Sequence, residues 1–232
     1  MLEVDDIHTS YGSSQVLFGV SLAAAAGEVV ALLGRNGVGK TTTLRCIAGL
    51  NPPRRGQVRW QGRDIGGLPA HRIARLGIGW VPEERRVFPE LSVWENLDIA
   101  RRPAAAGAGW SEARIYALFP DLEALAGRPG GVLSGGQQQM LSIARSLMLN
   151  PQLLLLDEPS EGLAPRVVES LADQILQLKE SGMALILAEQ NVDLVLALSD
   201  RIHILEKGQV RYAGTPGELR QKRAVLEQYL TL

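Results

Sequence analysis

The sequence predicts an α/β fold with a mostly parallel sheet core, a small antiparallel β subdomain and an inserted α-helical subdomain. Three observations favour this architecture. Beyond residue 150, short apolar runs alternate with helical patterns, as parallel strands joined by crossover helices require. The first sixty residues contain strand-like runs that lack crossover helices, which is typical of antiparallel pairing. Approximately residues 90–150 form successive helical patterns.

The amino-terminal part supplies the predicted antiparallel strands and the first core strand. Turns are expected at Tyr11-Gly12 and Ala26-Gly27, because glycine permits the backbone conformations that tight turns need. The proline-rich stretch 52–56 ends the first helical segment. The predicted elements are strands over 16–22, 29–33, 57–60 and 78–81 and a helix over 42–49.

The remainder supplies the helical insert and the other core strands. Helices are predicted over 93–101, 112–119, 122–126 and 135–149, with a flexible link formed by Pro103 and Ala104–Gly109. Apolar runs over 153–156 and 183–188 indicate buried strands, and helices follow from Pro165 and Val192. A hairpin over 202–212 closes the pattern, so we expect one domain over residues 1–232.

Composition and charge argue against several classes of protein. A net charge of −1 lacks the basic excess of nucleic-acid binders, so no nucleic-acid partner is expected. Cys46 is the single cysteine, which excludes a disulfide within the chain and fits a reducing cytosol. No apolar stretch approaches the roughly eighteen residues of a membrane span, and the acidic start of the sequence does not resemble a signal peptide.

Residues 34–41 have the pattern G-x-x-x-x-G-K-[ST] between a predicted strand and a predicted helix, as a phosphate-binding loop does. Glycines let backbone N–H groups wrap around phosphates, Lys40 adds a positive charge, and the Thr41 hydroxyl suits Mg²⁺. The alternative is a glycine-rich turn with an incidental lysine, which the strand–loop–helix context disfavours. We predict a P-loop NTPase core whose phosphate-binding residues are Gly34, Arg35, Asn36, Gly37, Val38, Gly39, Lys40, Thr41 and Thr42.

Polar side chains follow two predicted core strands at the point where each strand ends. Asp157 and Glu158 come directly after four leucines, and Gln190 follows the next strand along the chain. Ligands gather at the carboxyl ends of parallel strands, so these side chains are expected beside the phosphate loop. Asp157 would hold Mg²⁺, and Glu158 would polarise the attacking water. The alternative is an acidic pair that caps a helix, since Pro159 and Ser160 follow.

The segment Leu-Ser-Gly-Gly-Gln at residues 133–137 precedes the long predicted helix. Ser134 is a favourable N-cap residue, and capping alone is the simplest interpretation of it. Capping does not explain two glycines followed by a glutamine. A serine hydroxyl beside exposed N–H groups at a helix N-terminus also binds phosphate. Two phosphate-binding devices in one chain suggest that each serves a different half of a composite site.

The phosphate loop, LSGGQ and LLLLDEP occur in the order and spacing of the ATP-binding cassette (ABC) family, which the chain resembles over nearly its whole length. The resemblance implies that two cassettes pair head to tail around ATP and Mg²⁺. It assigns Tyr11 to stacking on adenine, although a simple turn residue is the alternative. It assigns residues 160–163 to the segment that crosses to the partner cassette. ATP held by one cassette would be capped by Ser134, Gly135, Gly136 and Gln137 of the other.

Two positions depart from the common pattern of the family. Glu83 stands where many members have glutamine, and we expect it to contribute to the metal or to coupling with a membrane partner. Gln190 stands where the family has its switch histidine, and we expect it to contact the γ-phosphate. Glutamine donates hydrogen bonds but cannot become cationic as histidine can. His8, His71 and His203 do not occupy a position from which they would substitute.

The segments around residues 81–89, 158–165 and 188–191 resemble the shorter, second ATPase of branched-chain amino-acid importers. The resemblance implies transmembrane permease subunits, a second cassette and, indirectly, a periplasmic or extracellular solute-binding protein as partners. It places the chain in the cytoplasm, on the inner face of the membrane. Urea importers remain an alternative, as does an ATP-gated dimerisation module with little hydrolysis. A cassette acting on DNA or ribosomes would need a second cassette, a coiled-coil insertion or a basic face.

Overall fold

Two sheets and the helices around them make up the chain. The computed structural model describes residues 1–102 and 109–230, without the side chains of residues 223, 226, 227 and 230. The strands are β1 (Leu2–Tyr11), β2 (Ser14–Ala24), β3 (Val29–Leu33), β4 (Arg55–Trp60), β5 (Arg63–Asp64), β6 (Ile78–Val81), β7 (Leu153–Asp157), β8 (Ala184–Glu189), β9 (Arg201–Glu206) and β10 (Gln209–Gly214). The helices are α1 (Lys40–Ile47), α2 (Ala70–Arg75), α3 (Val93–Asp98), α4 (Glu112–Leu118), α5 (Pro120–Ala124), α6 (Gly135–Leu147), α7 (Pro165–Glu180), α8 (Val192–Leu198), α9 (Pro216–Gln221) and α10 (Arg223–Leu230).

The core sheet has six strands in the order β10-β9-β3-β8-β7-β6. Its strands are parallel except for β10, which pairs antiparallel with β9. Every residue of β3, β7 and β8 is buried, as expected for central strands covered on both faces. Since β3, β8 and β7 are neighbours and parallel, the residues that follow Leu33, Asp157 and Glu189 meet at one edge of the sheet.

The second sheet is antiparallel, with strand order β2-β1-β4-β5. The turn between β9 and β10 connects it to the core sheet and the phosphate loop. Gly208 in that turn accepts a hydrogen bond from the N–H of Phe18 at 2.9 Å and donates its own N–H to the carbonyl of Val38 at 2.8 Å. A β-carbon on Gly208 would lie 1.8 Å from the carbonyl oxygen of Val16, so only glycine permits this approach.

Helices α3 to α6 lie between β6 and β7 in the chain and share one apolar core with the parallel sheet. Val93, Ile115, Phe119 and Leu141 are buried in the same cluster as Leu33, Leu156 and Leu187. The insert therefore packs directly against the core sheet. This arrangement places the start of α6, which carries the LSGGQ segment, next to α7 and the segment after β6.

The predicted fold class is confirmed, and the differences concern short elements and the ends of helices and strands, such as β2 over Ser14–Ala24 where 16–22 was predicted. Helix α3 ends at Asp98 and α6 ends at Leu147, because their last turns tighten into bonds such as Arg101 N–H to the Asp98 carbonyl at 2.9 Å. Helix α2, with only six residues, had no recognisable period in the sequence. The flexible link predicted at Pro103 and Ala104–Gly109 lies outside the described residues, apart from Gly109. No described helix is long and apolar enough to cross a membrane.

Candidate functional site

The phosphate loop joins β3 to α1, and its shape depends on glycine at two positions. Gly37 and Gly39 have φ angles of 79° and 113°, in the region that side chains disfavour. The N–H of Gly34 donates to the carbonyl of Glu189 at 3.2 Å, which holds the start of the loop against β8. Helix α1 begins at Lys40 without a side-chain cap, so its first N–H groups remain available to an anion.

Lys40 is buried and lies between the loop and the end of β7. Its ammonium donates to the carbonyls of Gly34 and Arg35, the latter at 2.9 Å. The same Nζ lies 2.8 Å from Oε1 of Glu158. The side-chain exposures are 3% for Lys40 and 5% for Glu158, so this ion pair is shielded from water. A positive charge is therefore fixed where a phosphate would enter the loop.

Asp157 and Glu158 both have raised pKa values. Burial raises the pKa of Asp157 to about 6, although the hydrogen bond from Thr41 Oγ1 at 2.9 Å opposes this shift. Burial raises the pKa of Glu158 to about 7, against the opposing effect of Lys40. Oε2 of Glu158 is buried without a hydrogen-bond partner. A carboxylate with a free oxygen and a pKa near neutrality is suited to accept a proton.

A cavity of about 430 Å³ opens above the loop, within the size range of small-molecule sites. Glu83 lies at this cavity, and its negative charge also raises the pKa of Asp157. The oxygens of Thr41 and Asp157, with the carboxylate of Glu83 at the cavity, match the ligand preference of Mg²⁺. The lining residues are Val16, Asn36, Gly37, Gly39, Lys40, Thr41, Thr42, Glu83 and Glu158.

Among the described residues, no cluster of three or more His, Cys, Asp or Glu side chains is arranged to hold a metal ion. Mg²⁺ usually keeps several waters and takes one or two carboxylates together with phosphate oxygens. A metal at Thr41 and Asp157 would therefore depend on a bound phosphate.

Tyr11 ends β1 at the edge of the antiparallel sheet. Its side chain is 44% exposed, and its hydroxyl accepts a hydrogen bond from Nη1 of Arg45 at 3.4 Å. Arg45 belongs to α1, the helix that starts at the phosphate loop. The ring is therefore tied to the loop's own helix and keeps a free surface on which an adenine could stack.

Ser134 caps α6 and remains exposed. Its hydroxyl accepts the N–H of Gln137 at 3.3 Å, and its own N–H donates to Oε1 of Gln137 at 2.9 Å. The two glycines allow close approach: a β-carbon on Gly135 would lie 2.6 Å from Arg85, and one on Gly136 would lie 2.8 Å from Val167. Capping thus explains Ser134 and Gln137, while packing explains the glycines. None of these four residues lines the cavity at the phosphate loop.

Gln190 does not line that cavity either. Its Nε2 donates to Oε2 of Glu161, in the segment after β7, at 2.8 Å. The preceding residue, Glu189, is fully buried and accepts three backbone N–H groups, from Ser160 and Gln190 at 3.0 Å and from Asn191 at 3.2 Å. The sequence placed Glu161 only within residues 160–163, the segment expected to cross to the partner cassette, and gave Glu189 no role of its own. The signal available was that Glu189 ends β8 and Glu161 lies shortly after β7, the adjacent parallel strand.

The histidines lie elsewhere, as the sequence indicated. His203 is buried in β9, where burial lowers its pKa to about 4 and keeps it neutral. His8 contacts Asp6 at 3.2 Å in the antiparallel sheet. His71 is exposed in α2. Gln190 therefore occupies the position after β8, and none of the three histidines reaches it from another element.

Comparison with known proteins identifies the family. The sequence profile described as ABC transporter matches residues 17–161, more than half of the chain. The chain is 40% identical over 238 residues to the high-affinity branched-chain amino acid transport ATP-binding protein BraG of Pseudomonas aeruginosa, covering 99% of each protein. It is 36% identical over 232 residues to the lipopolysaccharide export system ATP-binding protein LptB of Escherichia coli (strain K12), covering 99% of this chain and 96% of LptB.

Solved structures agree with this assignment. An ATP binding subunit of an ABC transporter superposes with a TM-score of 0.81 at 30% identity, over 97% of this chain and 94% of its own. The dimeric bacterial ABC transporter cassette MJ0796 superposes with a TM-score of 0.80 at 26% identity, over 93% of this chain and 99% of its own. The chain therefore belongs to the ABC transporter family and is an ATP-hydrolysing cassette of such a transporter.

Proposed function

We propose that the chain is the ATPase subunit of an importer for branched-chain amino acids and that it works as one half of a head-to-tail pair of cassettes. The observation that carries the pairing is the separation of two phosphate-binding devices. The loop cavity is lined by Lys40, Thr41 and Glu158, whereas Ser134 and Gln137 border a different cavity beside α7. A single chain cannot close both devices on one nucleotide, so a second cassette has to supply the missing half.

In this proposal each site residue has a separate role in ATP hydrolysis. Lys40 and the N–H groups at the start of α1 hold the phosphates, and Thr41 and Asp157 would hold Mg²⁺. The bound metal would neutralise charge on the phosphate oxygens. Glu158 accepts a proton from the attacking water through its free oxygen. Gln190 donates to the γ-phosphate, and Ser134, Gly135, Gly136 and Gln137 cap the nucleotide of the facing chain.

The test of this mechanism is ATP turnover by the purified chain at increasing protein concentration, beside Glu158→Gln. We expect the rate per chain to rise with concentration and to vanish in the variant. Tight ATP binding without turnover at any concentration would favour the ATP-gated dimerisation module, the second candidate, which the glutamine at position 190 supports. That result would be followed by the same assay with an unlike second cassette.

Glu83 is proposed to support the metal, because it lies at the cavity with Thr41. In Glu83→Ala we expect half-maximal turnover to need more Mg²⁺, since a hard oxygen ligand is lost. Turnover would be titrated with Mg²⁺, with and without permease. Identical Mg²⁺ dependence and identical permease-coupled turnover in wild type and variant would remove Glu83 from the site.

The proposed permease contact is a groove of about 400 Å³ between the segment after β6 and helices α3 and α6. Phe88 and Ile99 are 42% and 63% exposed there, which gives an apolar surface for a permease segment. The ring of Phe88 lies 4.4 Å from the guanidinium of Arg145, so the groove also carries positive charge. Binding there would hold the chain at the cytoplasmic face of the membrane.

The solute and the direction of transport rest on similarity to BraG, whose identity exceeds that of LptB. The test is reconstitution of the chain with its permease subunits and solute-binding protein in vesicles. ATP-dependent uptake of labelled leucine, isoleucine or valine is the expected result. Uptake of urea, or release of lipopolysaccharide, would reassign the transporter while leaving the ATPase mechanism intact.

A further inference from the structure

Glu161 connects the two segments that follow β7 and β8. Its carboxylate accepts the side-chain N–H of Gln190 at 2.8 Å. Its own N–H donates to the carbonyl of Glu158 at 3.1 Å, so Glu161 closes the turn that begins at the proposed general base. A change in the position of that turn would therefore move the partner of Gln190.

The backbone on both sides of this contact is fixed by hydrogen bonds. Glu189 is fully buried, and its carboxylate holds the N–H groups of both Ser160 and Gln190 at 3.0 Å. Arg85 donates from Nη2 to the carbonyl of Glu161 at 3.0 Å. Because the two backbones are already held in place, little additional ordering is needed for the side chains of Glu161 and Gln190 to meet.

The chemistry of the pair allows one orientation of the amide. An ionised carboxylate only accepts hydrogen bonds, so the NH₂ end of Gln190 has to face Glu161. One N–H is then used by Glu161, and the second remains free to donate. Without the carboxylate, the amide could turn its oxygen towards a phosphate, which would be repulsive. A glutamine thus needs an external partner to define its donor direction.

We propose that Glu161 is a positioning residue, which fixes the Gln190 amide so that its remaining N–H is offered to the γ-phosphate of ATP bound by the same chain. The proposal rests on the γ-phosphate role proposed for Gln190. Glu161 itself acts through Gln190 and not on the nucleotide. The pair interacts by hydrogen bonding and not as an ion pair, since the Gln190 amide is neutral.

The test is a double-mutant cycle of Glu161→Ala and Gln190→Ala, measured as kcat and KM for ATP. We expect Glu161→Ala to lower kcat about tenfold, the effect of losing a hydrogen bond to a charged group, with little change in KM. The same substitution should have no further effect in the Gln190→Ala background. Glu161→Gln keeps an acceptor oxygen and should retain most of the kcat. Glu180→Ala, which removes an exposed carboxylate at the far end of α7, is the matched control.

Two results would overturn the positioning role. One is an unchanged kcat in Glu161→Ala, and the other is an equal loss in both backgrounds, which would mean that Glu161 acts independently of Gln190. Glu158→Gln in the same assay distinguishes failure of the positioning role from failure of the proposed catalytic site. Full turnover by that variant would refute the proposed catalytic site, whereas its loss of turnover would leave only the positioning role in question.

Discussion

The ion pair between Lys40 and Glu158 has a direct consequence for nucleotide binding. The ammonium lies 2.8 Å from the carboxylate, and a phosphate in the loop would compete for the same donor. In Glu158→Gln this competitor becomes neutral, so ATP should bind more tightly even though turnover stops. We expect the Kd for ATP to fall about tenfold, a difference of about 1.4 kcal/mol. Equilibrium binding would measure it, with Glu180→Gln as control, and weaker binding by Glu158→Gln would contradict the competition.

The raised pKa of Glu158 predicts a pH dependence. A general base works in its ionised form, and the pKa of Glu158 is raised to about 7 by burial. Below that pH the carboxyl is protonated, so kcat/KM for ATP should fall as the pH drops through 7. The fall should steepen near pH 6, where Asp157 also takes up a proton.

This profile would be measured at a fixed concentration of ionised MgATP over about three pH units centred on the pKa of Glu158, which is about 7. A control titration of folding by circular dichroism would separate loss of structure from loss of the base. A flat profile between pH 6 and 8 would mean that Glu158 does not act as the base.

At single positions the sequence was most informative where a motif coincides with a strand end. The pattern around Lys40 and the acidic pair at residues 157–158 predicted side chains that the structure brings into contact. The bond between Glu161 and Gln190 was not predictable in the same way. It joins residues 29 apart in the chain and depends on which strands are neighbours, which hydrophobic periodicity does not specify. Their roles in catalysis stay predictions.

Among the connecting elements, the turn between β9 and β10 should be the least tolerant of substitution. Gly208→Ala would place a β-carbon 1.8 Å from the Val16 carbonyl and would strain a φ angle of 74°. We expect a loss of about 2–4 kcal/mol in the free energy of unfolding, measured by urea denaturation. The loss should be accompanied by weaker ATP binding, because a shift of this turn would disturb the hydrogen bond from the Gly208 N–H to the carbonyl of the loop residue Val38.

The matched control is Gly62→Ala in the turn between β4 and β5. Gly62 has a similar φ of 79°, but a β-carbon there would meet nothing within 4 Å. Its substitution should cost only about 1 kcal/mol, the conformational part of the effect. Equal losses in the two variants would show that the close approach of the turn to β2 contributes nothing.

Whole elements were predictable where the apolar run or the helical period is clear. The strand over Ile78–Val81 and the helix over Val192–Leu198 were predicted with the observed bounds. Helix α2 and the two-residue strand β5 were not, since both are shorter than the windows in which a period can be read. The order of strands in the core sheet could not be predicted from the sequence either, because it depends on contacts between distant segments.

For the molecule as a whole, head-to-tail pairing predicts complementation between two inactive variants. Lys40→Ala disables the phosphate loop, and Ser134→Asp keeps a good helix cap while placing a negative charge against phosphate. Each variant alone should be inactive. In a mixed dimer one composite site combines an intact loop with an intact signature. An equal mixture should therefore recover roughly a quarter of the wild-type rate, as random pairing of two variants requires.

ATP turnover of the separate and mixed proteins would measure this recovery at a fixed total concentration. Two separately prepared samples of Lys40→Ala, mixed in the same way, are the control and should stay inactive. Activity in Ser134→Asp alone would mean that each chain completes its own site. Absence of recovery in the mixture would mean that an unlike cassette is the natural partner.

The segment over residues 83–86 forms a thin partition in the molecule. Glu83 faces the nucleotide cavity, while Arg85 and Arg86 border the groove proposed for the permease, and Arg85 also contacts the segment after β7. Pro82, which also borders the groove, is the immediate neighbour of Glu83 in the chain, so the two compartments are lined by adjacent residues. Coupling between the permease and the bound ATP would then not depend on a long chain of contacts through the core. Displacement of this segment by the permease would then change the nucleotide cavity directly.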